Sequence, residues 1–138
     1  MIKIAESDQE ILACYPAMKE LRTELVEHEF VARIKELMAD GYVLAFLAKG
    51  EGIACVAGFK ISKNLFIGKH LYVEDLSTIE SARSNGYGKQ MINWLRDLAS
   101  KEGCRAIHLD SGVQRHRAHR FYLNQNMDIV CYHFLEKL

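Results

Sequence analysis

The run Arg83-Ser84-Asn85-Gly86-Tyr87-Gly88-Lys89 carries the residue types in this chain most suited to holding a ligand. Its two glycines stand one residue apart, at the start of a strongly amphipathic stretch, so backbone N–H groups there can approach an anion. The first-turn amides of a helix have no internal acceptor, and the helix dipole adds partial positive charge, so a pyrophosphate placed at such a turn meets donors and a favourable field. Two other glycine-rich chemistries are excluded by spacing. A nucleoside-triphosphate loop needs G-x-x-x-x-G-K-[ST], whereas Gly88-Lys89 has neither the upstream glycine nor a following Ser or Thr. A dinucleotide fingerprint needs a third glycine at position 91, which is Met91.

Other candidate chemistry is thin. Cys14, Cys55, Cys104 and Cys131 are scattered and form no C-x-x-C pair, so nothing supports a zinc or redox motif. The apolar surroundings of Cys55, Cys104 and Cys131 predict reduced, buried packing residues. His116 and His119 share helical spacing but have no third ligand, so no metal site is expected. Arg115, Arg117 and Arg120 read either as a solvated helix face or as extra charge for a phosphate. Eighteen basic residues balance eighteen acidic ones, so the chain as a whole offers no field for nucleic acid or an anionic membrane. The balance is uneven: residues 1–82 hold 13 acidic and 9 basic groups, and residues 83–138 hold 5 and 9. Any polyanion should bind the C-terminal part.

The elements that must position the turn follow from periodicity. Ile2 and Ile4 suggest a first strand, and Ser7-Asp8-Gln9-Glu10 reads as a helix start with a capping box. Ile11, Leu12, Tyr15, Met18, Leu21 and Leu25 follow helical spacing, with Pro16 as a kink or boundary. A second helix is predicted over His28–Ala39, ended by Asp40-Gly41. Tyr42–Ala48 and Ile53–Ile61 form a hairpin around Lys49-Gly50-Glu51-Gly52. A turn and strand over Leu65–Ile79, a helix over Gly86–Lys101, a strand over Arg105–Asp110, a helix over His116–Gln125 and a last strand over Met127–Leu135 complete the order. With no linker or repeat, residues 1–138 are expected to form one domain of the α+β class, a mixed and largely antiparallel sheet flanked by helices. The strand, helix and strand within Leu71–Leu109 imply a parallel pair joined by a right-handed crossover, with the anion-binding turn at the head of its helix.

The R-x-x-G-x-G turn follows the strand Leu71-Tyr72-Val73-Glu74-Asp75-Leu76-Ser77-Thr78-Ile79, and some thirty residues later comes Ala118-His119-Arg120-Phe121-Tyr122. This ordered set resembles the GNAT superfamily of acyl-CoA-dependent N-acetyltransferases, most specifically over residues 71–127. The resemblance implies a GNAT-like fold, acetyl-CoA as cosubstrate and no metal. It places Leu76, Ser77 and Thr78 along the pantetheine arm, and Arg83, Ser84, Asn85, Gly86, Tyr87, Gly88 and Lys89 around the pyrophosphate. It makes Tyr122 the general acid that protonates the departing thiolate. Two positions depart from the family pattern: Arg115 stands where Asn is usual, and Asn126-Met127 replaces Gly-Phe.

An amine must be neutral before it attacks a thioester, so a base is needed. Glu74 is the candidate, with Asp75 or a water as the alternatives. Adjacent strand residues point to opposite faces, so only one of the two carboxylates should face the substrate unless a bulge intervenes. The expected reaction is transfer of the acetyl group of acetyl-CoA to a primary amine of a small molecule or protein by direct attack. A non-catalytic acyl-CoA sensor of the same fold is the alternative. No stretch is long and apolar enough for a membrane span or signal peptide, so a cytoplasmic protein is expected. An amine acceptor is the partner expected, with no nucleic acid or membrane, and the possible homodimer is left open.

Overall fold

The computed structural model describes residues 1–138. The chain divides into two compact units, Met1–His108 and Leu109–Leu138. The first is built on a sheet of β1 (Ile2–Ile4), β2 (Val43–Lys49), β3 (Gly52–Asn64), β4 (Gly68–Thr78) and β5 (Ala106–Leu109), which lie side by side in chain order. All of β5 except Leu109 belongs to this unit. The first three pairings are antiparallel. β5 reaches the side of β4 through a helical crossover, the connection that joins parallel neighbours, so the sheet is mixed.

Helices α1 (Asp8–Ala13), α2 (Tyr15–Leu21) and α3 (Glu27–Ala39) precede β2, and α4 (Tyr87–Lys101) joins β4 to β5. The predicted capping box is present: the Ser7 hydroxyl accepts from the Glu10 amide at 3.1 Å, while the Glu10 carboxylate accepts from the Ser7 amide at 3.1 Å. Pro16 acts as a boundary. Cys14 ends α1 and begins α2, so the proline falls in the first turn of α2, where its missing N–H costs no helix bond. The apolar spacing ran on to Leu25, but α2 stops at Leu21 and the chain turns there. The Leu25 carbonyl accepts from the Tyr15 hydroxyl at 3.1 Å and from the Lys19 ammonium at 2.6 Å.

One core sets Ile11, Met18, Phe30 and Ile34 of α1–α3 against Tyr42, Leu44, Phe46 and Val56 of the sheet. Met91, Ile92, Leu95 and Ala99 make the buried stripe of α4, and Trp94 beside them packs on Phe59 with ring centroids 6.2 Å apart. Strand alternation therefore divides labour along β3: Phe59 packs on α4, whereas Val56 faces α1–α3.

The second unit contains α5 (His116–Asn124). Residues 125–138 carry no helix or strand, so the last strand predicted over Met127–Leu135 does not form. Its apolar pattern is real, but Ile129, Val130, Tyr132 and Phe134 are exposed, and alternation makes a strand only where a neighbour completes the ladder. Cys131 is likewise exposed and Cys104 half-buried, whereas Cys14 and Cys55 are the buried pair.

Candidate active site

The register of β3 against β4 slips by one residue at the centre of the sheet. Gly58 faces Asp75 and Phe59 faces Val73, which leaves Glu74 without a partner. This is a β-bulge, and it changes which face each side chain takes. Val73 is buried, alternation places Glu74 on the opposite face, and Asp75 lies on that same face because it bonds to Tyr42. Both carboxylates thus face the α1–α3 side.

Their environments differ. Asp75 has both oxygens engaged: the Arg22 Nε donates to Oδ1 at 2.8 Å and the Tyr42 hydroxyl donates to Oδ2 at 2.8 Å. Arg22 also donates through Nη2 to the Glu74 carbonyl at 2.9 Å. Burial, and then the Asp75 charge, push the Tyr42 hydroxyl far above its usual range, so it remains a donor. The Glu74 carboxylate is exposed and takes none of these bonds. Partial desolvation and then the neighbouring Asp75 charge raise its pKa, with Lys60 and Arg22 opposing.

From Glu74, β4 continues through Leu76, Ser77 and Thr78 into a 3₁₀ turn, Glu80–Ala82, and then the glycine turn. Ser84 and Gly86 both have left-handed backbones, φ +66° and +80°. The Asn85 side-chain amide ties the turn to the carbonyls of Ala82 and Arg83 at 2.9 and 3.1 Å. The first bond into α4 runs from the Gln90 amide to the Gly86 carbonyl at 3.0 Å, so the amides of Tyr87, Gly88 and Lys89 have no intrahelical acceptor. A Cβ at Gly86 would meet nothing within 4 Å, so the space beside that residue is open. The fit to a pyrophosphate therefore rests on free amides, a helix N-terminus and room for the phosphates.

The Arg83 side chain points elsewhere. Its Nη2 bonds the Glu20 carboxylate at 3.1 Å and its Nε the Thr78 carbonyl at 3.1 Å, while Glu20 also accepts from the Glu80 amide at 2.8 Å. Arg83 thus fastens the turn to α2, and a different cation stands at the helix start: Lys49 Nζ lies 5.1 Å from the Tyr87 ring centroid. Lys49, Glu51, Ser81 and Asn85 are polar linings of an open cleft of about 770 Å³ beside the turn. Burial pushes the Cys14 thiol up to about 12 and that of Cys55 up to about 11, so neither of these two competes as a nucleophile.

Tyr122 lies in α5 of the second unit, half-buried, with its ring centroid 5.4 Å from that of Phe121. Arg115 is the N-cap of α5, and its amide donates to the Gly112 carbonyl at 3.0 Å. Asn126 has φ +62°, with its amide bonded to the Leu123 carbonyl and the Met127 amide to that of Tyr122. That is a Schellman ending, so Asn126 does here what glycine does in the family pattern. Sequence reasoning did not find Arg22, Tyr42 or Lys49, and it offered Glu20 as one of the acidic groups for a cationic amine, whereas its carboxylate holds Arg83 and the Glu80 amide. A signal existed only for the place where Arg22 and Tyr42 meet: an isolated glycine, Gly58, inside a strand marks a bulge or a close approach.

Residues 7–127 match the Acetyltransferase (GNAT) family, so the strand, turn and helix described above are those of a class of enzymes that use acyl-CoA. The chain belongs to that family and is an N-acetyltransferase. It is 35% identical over 125 residues to the uncharacterized N-acetyltransferase YhdJ of Bacillus subtilis (strain 168), covering 90% of this chain and 88% of that one. A GNAT family acetyltransferase of Staphylococcus aureus subsp. aureus USA300_TCH1516 shares the fold with a TM-score of 0.83 at 17% identity, over 100% and 98% of the chains. The aminoglycoside N-acetyltransferase AAC(6')-Iy, solved with CoA, gives 0.83 at 15% identity, over 100% and 95%.

Proposed function

We propose that this protein transfers the acetyl group of acetyl-CoA to a primary amine, of a small molecule or a protein, by direct attack of the amine on the thioester. The observation that carries the reading is the bulge at Glu74, which frees one carboxylate on a strand that leads directly into a turn of unpaired amides. Asp75 is already committed to Arg22 and Tyr42, so Glu74 is the base, taking the amine proton directly or through a water. Its raised pKa suits a group that must accept a proton near neutrality.

The amides of Ser84 to Lys89 hold the pyrophosphate, with Lys49 adding charge. Leu76, Ser77 and Thr78 line the pantetheine, and Arg83 contributes through its position in the turn. Attack forms the N–C bond and expels the CoA thiolate, to which Tyr122 gives a proton. That last role rests on the motif resemblance. Of the acidic side chains of the helical segment, Glu20, Glu24, Glu27, Glu29 and Glu36, all but Glu20, which is bonded to Arg83, would favour a cationic acceptor.

The test has two stages. Acetyl-CoA or CoA at a hundredfold excess over its dissociation constant should add about 2.7 kcal/mol, a rise in Tm of about 9 °C for a chain of 138 residues, with ATP and NAD as controls. A panel of primary amines, read by release of free CoA, then identifies the acceptor. No shift with CoA would refute the coenzyme site, and a shift without transfer to any amine would favour a sensor.

A further inference from the structure

Arg22, Asp75 and Tyr42 come from three separate parts of the chain and meet at the register slip between β3 and β4. Arg22 follows α2, Tyr42 precedes β2 and Asp75 lies in β4. Their bonds form a chain: Tyr42 Oη to Asp75 Oδ2 at 2.8 Å, Arg22 Nε to Asp75 Oδ1 at 2.8 Å, and Arg22 Nη2 to the Glu74 carbonyl at 2.9 Å. Tyr42 reaches Asp75 by crossing β3 at Gly58, where any Cβ would overlap its hydroxyl and ring. The Asp75 side chain is 13% exposed, and that of Arg22 is 53% exposed.

We propose that Arg22 is a positioning residue for catalysis: its two-pronged bond to the Glu74 carbonyl and the Asp75 carboxylate, backed by Tyr42, holds the β4 bulge so that Glu74 presents its carboxylate to the acceptor amine. The proposal rests on the reading of Glu74 as the base. A bulge leaves its extra residue out of the ladder, so the Glu74 carbonyl needs another donor and its side chain needs another source of order. Arg22 supplies that donor directly, and by fixing the backbone at Glu74 it limits where the side chain can go. The fork geometry matters here: the two acceptors belong to successive residues, and a planar guanidinium meets them from two fixed nitrogens, whereas an ammonium offers one point charge without that fixed geometry.

Charge and geometry make different forecasts, and the conservative variant separates them. The charged groups around Glu74 are Asp75, Lys60 and Arg22, with the neutral Tyr42 hydroxyl behind Asp75. Arg22→Ala removes a positive neighbour and should raise the Glu74 pKa further, as read by NMR titration of its side-chain carboxyl. Arg22→Lys restores the charge and so should return the titration towards wild type, but not the fork.

With the amine found in the panel, Arg22→Lys should lower kcat by about 10- to 100-fold, the cost of a misplaced catalytic group, with the KM for acetyl-CoA unchanged. Independently of any acceptor, amide resonances of Glu74, Asp75 and Gly58 should shift in both variants while those of α4 stay in place. Unmoved bulge resonances, or an Arg22→Lys enzyme with wild-type kcat, would overturn the proposal. If Glu74→Gln retains full kcat while the bulge resonances respond to Arg22, the base assignment has failed and the brace has not.

Discussion

Gly58→Ala is the substitution whose cost can be worked most directly from the packing around the bulge. An added methyl would overlap the hydroxyl, Cζ and Cε2 of Tyr42, and Tyr42 is only 3% exposed, so the ring has nowhere to go without displacing its neighbours. Overpacking of this kind costs about 1–3 kcal/mol. Moving the ring also breaks its bond to the Asp75 carboxylate, about 1.5–3 kcal/mol for a hydrogen bond to a charged group. Against this, alanine is favoured over glycine in a strand by roughly 0.5–1 kcal/mol. The net loss is about 2–5 kcal/mol, and for 138 residues 1 kcal/mol is about 3 °C, so Tm should fall by roughly 6–15 °C.

Denaturant unfolding followed by fluorescence can measure this, because Trp94, the only tryptophan, packs on Phe59 next to the substituted residue. Adding Gly58→Ala to a Tyr42→Ala background should cost almost nothing, since the obstructing ring is gone. A Gly58→Ala protein as stable as wild type, or one whose penalty is the same in both backgrounds, would refute the argument from contact.

Glu74→Gln should abolish the dependence of kcat/KM on a raised carboxylate, and it should also show a stability effect of definite sign. The folded-state pKa of Glu74 is raised, so the native protein binds this proton more tightly than the unfolded chain and loses stability as pH climbs through that window. The variant should therefore melt above wild type at neutral pH and converge with it in acid; the opposite order in a Tm series over pH would reject the raised pKa. Gly86→Val forces a β-branched residue into φ +80° with no steric contact, so it should cost about 1–2 kcal/mol from backbone strain alone. Its side chain would also stand in the open mouth of the turn, and calorimetric titration should show CoA affinity falling well beyond that; normal affinity in a folded variant would reject the cradle. Tyr122→Phe keeps the ring and should lower kcat by about 10²-fold with acetyl-CoA binding unchanged, whereas wild-type turnover would leave Tyr122 as a packing residue.

What lies close together in the chain could be read from it. The capping box at Ser7, the boundary at Pro16, the stripe of Met91, Ile92, Leu95 and Ala99, and the glycine turn are each set by neighbours within a few residues, and local rules of capping, backbone freedom and periodicity decide them. The family resemblance over residues 71–127 likewise used ordered local motifs, and it led to the right class of enzyme. The expected strand over Met127–Leu135 shows the limit of that logic. Ile129 to Leu135 have a strand's composition, but a strand exists only in its hydrogen bonds to another, and nothing local encodes whether that partner is present.

The choice between Glu74 and Asp75 was of the same kind. Period-two alternation allowed one of them to face the substrate, and only pairing with β3 revealed the extra residue that turns both to one side. Both Asp75 oxygens are then engaged, by Arg22, 53 positions away, and by Tyr42, 33 positions away. Arg83 follows the same pattern: its place in the motif was legible, but its side chain is claimed by Glu20, 63 residues earlier. A carboxylate's reactivity depends on which donors reach it and how much water surrounds it, and both are properties of the packed chain rather than of its order.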